Sequence, residues 1–192
     1  MPRDRYIERI GRARALRRRD LLKVGAFAGA LVFPMSALAR IGPFSSEKTL
    51  KLHNLHTDES VEATFWSEGA YVPSAFPEID RILRDRHTGA VKPIDPQLVE
   101  LLYRIQTRLG NRQSLEVLCG YRSPRTNAIL LREGLTPARH SYHLYGKAVD
   151  FRVPGRDIRQ VRKVAMALQA GGVGYYPRAQ FIHVDVGPVR HW

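Results

Sequence analysis

The chain has 192 residues, 44% of them hydrophobic and 26% charged, a composition that fits one globular domain and excludes a fibrous or low-complexity chain. Its formal net charge is +13, from 31 Lys and Arg against 18 Asp and Glu, although residues 1–39 hold nine of those bases and three of the acids. The remainder is basic enough to suit an anionic partner, no aromatic-interleaved basic run argues for nucleic acid, and the single cysteine, Cys119, excludes an intrachain disulfide.

The first segment reads as an export signal. A dense basic run ends in Arg17-Arg18-Arg19-Asp20-Leu21-Leu22-Lys23, an apolar stretch follows from Val24 to Phe33, and Pro34 and Ala37-Leu38-Ala39 come next. Basic region, short apolar region and small residues at an A-x-A site fall in the order of a secretory signal. The apolar stretch is too short to span a bilayer comfortably, which favours cleavage after Ala39 and no lasting membrane span over an uncleaved anchor or a basic nucleic-acid arm. Arg18-Arg19-x-Leu21-Leu22-Lys23 resembles the twin-arginine export motif, a receptor-read address for proteins that cross already folded. The expected location is the periplasm or cell envelope. Residues 40–49, with Gly42, Pro43 and two serines, read as a linker, leaving 50–192 as a single domain.

Within that domain Leu50–Leu55 alternates like a half-buried strand, with Val61–Trp66 as its hairpin partner. A helix is expected near Pro77–Asp85. A stronger one covers Asp95–Leu109, where Asp95 caps, Pro96 takes the first position, and Leu98, Leu101, Leu102, Ile105 and Leu109 form an apolar stripe. A strand at Leu115–Tyr121 leads to Ser123-Pro124, the cap-and-proline start of a helix to about Glu133. Lys147–Val153 reads as a strand, and Ile158, Val161, Val164, Ala165 and Leu168 mark a helix stopped by Gly171-Gly172. Phe181–Val186 reads as a final strand. Helices and strands mix without regular βαβ alternation, so the expected fold is α+β with an antiparallel or mixed sheet and helices packed on it.

The chemistry concentrates in two places. Ser141-Tyr142-His143-Leu144-Tyr145-Gly146-Lys147-Ala148-Val149-Asp150 offers an imidazole and a carboxylate, and His183 offers a second imidazole. Two histidines and a carboxylate are a ligand set for catalytic zinc, which lowers the pKa of a water in its open position to about 7; the same set also suits Fe(II). On strands, Ala148 and Asp150 share one face and His183 and Asp185 another, with Val149, Phe151, Ile182 and Val184 opposite. Such alternation also describes an ordinary outer sheet face. Cys119, in an apolar run, reads as a small buried hydrophobe rather than a thiol nucleophile. His53, His56, His87 and His191 read as surface or structural.

Ser141-x-His143-x-x-Gly146-x-Ala148-x-Asp150 resembles the S-x-H-x-x-G-x-A-x-D motif of the D-Ala-D-Ala metallopeptidase and hedgehog group of zinc enzymes. Gly120-Tyr121-Arg122-Ser123-Pro124-x-Thr126-Asn127, and Gly171-Gly172-Val173-Gly174-Tyr175-Tyr176-Pro177 through Phe181-x-His183-Val184-Asp185-Val186-Gly187-Pro188-Val189-Arg190 with Trp192, resemble one branch, the bacterial murein endopeptidase K family. The resemblance implies a hedgehog or D-Ala-D-Ala-peptidase-like fold and a zinc peptidase hydrolysing amide bonds in peptidoglycan cross-links. It implies His143, Asp150 and His183 as ligands of one Zn2+, and Arg122 facing a substrate carboxylate or the scissile carbonyl oxygen. Ser123 reads as a helix cap, not a nucleophile.

One departure stands out. Many relatives carry an acidic general base three residues before the last ligand, and others a histidine two before it; here those positions are Gln180 and Phe181. Asp185 is the first candidate for the base and His140 the second, and either could instead orient a ligand histidine. The gap keeps open a non-catalytic, zinc-bearing cell-wall-binding module.

Overall fold

The structure is a computed structural model that describes residues 47–135, 138 and 140–192. The export signal and most of the linker, residues 1–46, lie outside the described residues.

The described residues build a single eight-stranded mixed sheet with four α-helices. In chain order the strands are β1 (Lys48–Asn54), β2 (Ser60–Ser67), β3 (Ala70–Tyr71), β4 (Leu115–Cys119), β5 (Ala148–Arg152), β6 (Gly172–Tyr176), β7 (Phe181–Asp185) and β8 (Arg190–His191). Across the sheet they run β3-β2-β1-β4-β5-β7-β6-β8, antiparallel except for the parallel pairs β1–β4 and β6–β8. The helices are α1 (Phe76–Ile82), α2 (Pro96–Arg108), α3 (Pro124–Arg132) and α4 (Ile158–Ala167). This is the α+β architecture with a mixed sheet that the sequence implied. No helix among the described residues is long and apolar enough to cross a membrane.

Capping residues set the helix starts. The carboxylate of Asp95 accepts from Gln97 N, the hydroxyl of Ser123 from Thr126 N, and the carboxylate of Asp157 from Arg159 N, each satisfying a backbone donor that the helix leaves unpaired. Pro96 and Pro124 follow two of these caps, where the missing N–H costs nothing.

The core lies on the helix-covered face of the sheet. Val149 and Phe151 of β5 and Ile182 and Val184 of β7 are fully buried there, with Leu98, Leu102 and Ile105 of α2 and Val161 and Ala165 of α4. Burying each such side chain stabilises by about 1.5–3 kcal/mol, so these four residues clamp β5 and β7 to the helices from behind. The residues between them, Asp150 and His183, therefore leave the opposite face.

Two details differ from the sequence reading. β1 begins at Lys48, inside the stretch expected as linker: Lys48 Nζ binds Glu100 at 2.9 Å and Thr49 Oγ1 meets Thr64 Oγ1 at 2.8 Å, which extends the ladder two residues. α4 ends at Ala167, ahead of the expected Gly171-Gly172 stop, and Gly172–Tyr176 is a strand the sequence reading did not assign, because its ladder partners β7 and β8 hold it where local propensity does not.

Candidate metal centre

Register assembles the site. Cys119 of β4 pairs with Asp150 of β5, Asp150 with His183 of β7, and His183 with Gly174 of β6, so one row crosses four strands. In the next row Ala148 pairs with Asp185, and Gly172 pairs with Arg190 of β8 and donates its N–H to Asp185 Oδ1 at 3.2 Å. His143 comes from outside the sheet, on a 3-10 turn over Tyr142–Tyr145. Gly146 ends that turn at φ +66°, and a Cβ there would stand 2.5 Å from Pro93 O, so only glycine turns the chain back into β5 at this point.

The geometry brings His143, Asp150 and His183 together. His143 Nε2 lies 3.1 Å from His183 Nδ1 and 3.2 Å from Asp150 Oδ1, and His183 Nδ1 lies 2.8 Å from Asp150 Oδ1. The second nitrogen of each ring is already engaged. His143 Nδ1 donates to Gly120 O at 2.7 Å, and His183 Nε2 donates to Asp185 Oδ2 at 3.0 Å. A carbonyl and a carboxylate only accept, so the first proton of each ring sits on those nitrogens, and Nε2 of His143 and Nδ1 of His183 present lone pairs when the rings are neutral. Three acceptors thus face one another in a triangle of 2.8–3.2 Å sides, which calls for a cation among them. A tetrahedral ion with bonds of about 2.0–2.1 Å spaces its ligands by roughly 3.3–3.4 Å, so the donor set suits Zn2+ and the triangle would open by a few tenths of an ångström to take it.

The electrostatics agree. Burial disfavours the charged carboxylate of Asp150, but His143 and His183 outweigh it and hold the group well below the usual range. Burial disfavours charge on His143, yet Asp150 and Cys119 raise it well above an ordinary histidine. The pocket favours positive charge at the triangle.

Asp185 lies behind His183 rather than facing the triangle. It is fully buried, and both oxygens are occupied: Oδ1 accepts from Gly172 N (3.2 Å), Gly187 N (2.8 Å) and Arg190 Nη1 (3.1 Å), and Oδ2 from His183 Nε2 and Arg190 Nη2 (2.7 Å). Burial opposes its ionisation, but His183, Arg190 and the two amides hold it well below the usual carboxylate range. His140 sits in an exposed turn just before Ser141. Arg122, mostly buried, donates its backbone N–H to His143 O at 3.1 Å and holds Nη2 3.9 Å from Asp150 Oδ2.

Gln180 takes a left-handed conformation, φ +55°, bonds Pro177 O through its amide, and lines a cavity of about 330 Å³ shared with Arg152, Gly155 and Ile158 rather than the triangle. Phe181 stacks on Tyr176, ring centroids 4.5 Å apart. Tyr176 and Trp192 are half-exposed, and Trp192 Nε1 donates to Tyr176 Oη at 3.0 Å.

The sequence reading missed the place of Cys119. Its ligand atom and those of His143 and Asp150 lie within 4.8 Å of one another. Strand alternation with Leu115 and Val117 points it at the core, but a bulge between Val117 and Cys119 turns it onto the Asp150 face. His56, His87 and His191 are exposed, as expected, and His53 bonds Ser60 Oγ at 2.9 Å on the surface.

A family model described as peptidoglycan L,D-endopeptidase MepK matches residues 44–192. The chain belongs to this family. MepK of Escherichia coli strain K12 is 41% identical over 176 residues, 91% of this chain and 96% of that protein. The probable MepK of Haemophilus influenzae is 41% identical over 177 residues, 91% of this chain and 95% of the relative. No solved structure matches. Membership in the MepK family bears out the resemblance read from the three motifs and the assignment as a peptidoglycan hydrolase.

Proposed function

We propose that the protein is an exported, zinc-dependent endopeptidase that hydrolyses amide bonds in the stem-peptide cross-links of peptidoglycan, with the L,D cross-link as its target. The observation that carries the metal reading is the triangle of His143 Nε2, Asp150 Oδ1 and His183 Nδ1, three acceptors whose outer nitrogens are both committed as donors. The printed names of the relatives, peptidoglycan L,D-endopeptidase, support the substrate and the bond.

His143, Asp150 and His183 would hold the ion, which when bound polarises the scissile carbonyl and acidifies water. Arg122, beside Asp150 and tied by its backbone to His143, is placed to hold a substrate carboxylate or the developing oxyanion through paired N–H donors. Water adds to the carbonyl carbon, the C–N bond breaks, and a proton passes to the leaving amine. Asp185 has no free oxygen for that proton, so its part is to fix the His183 ring. His140, exposed beside the motif, is the remaining candidate to carry the proton. The stacked Tyr176 and Phe181 and the exposed edge of Trp192 offer an apolar wall for the peptide.

The test is digestion of purified peptidoglycan by the metal-loaded protein, with fragments resolved by chromatography, beside chelator-treated protein and His183→Ala. The expected result is release of L,D cross-linked dimers as monomers, abolished by chelator and by His183→Ala, with zinc rather than iron found on elemental analysis. Retention on peptidoglycan without cleavage would identify a binding module instead. For the export route, Arg18→Lys with Arg19→Lys should leave the protein in the cytoplasm and abolish processing after Ala39.

A further inference from the structure

We infer that Arg190 is a positioning residue of the metal centre, one guanidinium that fixes both histidine ligands from behind. The inference rests on the proposed metal site and extends it outward by one layer. Arg190 Nη1 and Nη2 meet Asp185 Oδ1 and Oδ2 at 3.1 and 2.7 Å, a two-pronged pair, and Nη1 also donates to Pro188 O at 3.0 Å. Asp185 in turn accepts from His183 Nε2, so the orientation of Nδ1 toward the triangle depends on where Arg190 holds the carboxylate.

The same guanidinium lies over two aromatic rings, Tyr142 and Trp192, each 5.2 Å from its centre. Tyr142 is the residue before His143 on the 3-10 turn, and the Trp192 ring lies 5.4 Å from the His183 ring. Arg190 therefore touches the immediate supports of both ligand histidines. A lysine offers one point charge with neither the fork nor the flat face, so it cannot reproduce the arrangement.

The sequence makes room for this clamp. A Cβ on Gly172 would lie 2.5 Å from Asp185 Oδ2 and 2.6 Å from Arg190 Nη1; a Cβ on Gly174 would lie 2.9 Å from the Trp192 ring; one on Gly187 would strike the Tyr142 ring. Three glycines across β6 and the turn after β7 thus border one guanidinium and the rings that enclose it.

The test compares wild type, Arg190→Met, Arg190→Lys and Gly172→Ala by zinc affinity in chelator competition, by the visible absorption of the cobalt-loaded protein, and by kcat and KM on peptidoglycan fragments. Arg190→Met should bind zinc about tenfold or more weakly and shift the cobalt bands, with kcat lowered and KM near wild type. Arg190→Lys should recover part of the affinity at most. Gly172→Ala, whose methyl would press on Asp185 Oδ2 and Arg190 Nη1 alike, keeps both side chains and disturbs their pairing, so it should shift the cobalt bands, and it decides the matter should Arg190→Met fail to fold. Wild-type affinity and spectrum in Arg190→Met, even with a lower melting point, would reduce Arg190 to a structural ion pair and overturn the inference. Wild-type protein that fails to load metal would sink the metal site itself.

Discussion

Asp150 and His183 are register partners across the β5–β7 ladder, and their side chains meet on the open face with Oδ1 and Nδ1 2.8 Å apart. Two of the three acceptors are therefore placed by sheet hydrogen bonding, and only His143 depends on a turn. Asp150→Asn keeps the size and removes the charge. The wild-type melting temperature should rise on adding zinc, because an ion bound only by the folded state stabilises it, and Asp150→Asn should show little or no such rise. Differential scanning calorimetry with and without zinc reads the difference.

Arg122 is tied to the site twice, through its backbone to His143 O and through its side chain toward Asp150. Arg122→Ala should lower kcat by about two to three orders of magnitude, the loss expected when one preorganised donor to a developing charge is removed. Metal content measured on the same sample should stay near one ion per chain.

Ser123 separates a cap from a nucleophile. Its hydroxyl accepts from Thr126 N at 3.2 Å and its own N–H is held by Asp85 Oδ2 at 2.6 Å. Ser123→Ala should cost about 1 kcal/mol of stability in a denaturant titration while leaving cleavage of peptidoglycan intact.

Most of this was legible in the residues. Asp95-Pro96 and Ser123-Pro124 marked helix starts because caps and prolines act locally, and the alternation of Val149, Asp150 and Phe151 gave the two faces of β5. The three acceptors were found by motif. What escaped was non-local. β6 is rich in glycine and carries no strand signal until β7 and β8 flank it, and Cys119 reads as core until a bulge rotates it. Asp185 could be read as a base or as an orienting group from its position beside His183; the four donor groups that occupy it come from β6, β7, the turn after β7 and β8.

Gly146 should not tolerate a side chain. Gly146→Ala puts a methyl 2.5 Å from Pro93 O in a left-handed backbone, adding about 1–2 kcal/mol of conformational strain to the clash. A loss of about 2 kcal/mol or more in chemical denaturation is expected, with zinc affinity falling as well because the His143 turn shifts.

Asp80 sets a pH dependence away from the site. It is buried on α1, where burial raises its carboxyl from 3.8 to about 6 against the opposing bond from Ile94 N at 2.8 Å. The folded state therefore prefers the neutral acid. Its contribution to stability is complete below pH 3.8 and is lost as pH rises through about 6. Asp80→Asn keeps an acceptor for Ile94 N and should gain about 1–3 kcal/mol at pH 7, with no gain at pH 4.

The row Cys119–Asp150–His183–Gly174 also constrains how the gene can change length. In a ladder of period two, one residue added or deleted within β5, β6 or β7 turns every later side chain of that strand to the opposite face. Insertions between Asp150 and His183 can be absorbed only where no ladder runs, at 153–157, at 168–171 or at 177–180. Homologous chains should vary in length at those three places and nowhere else along the stretch.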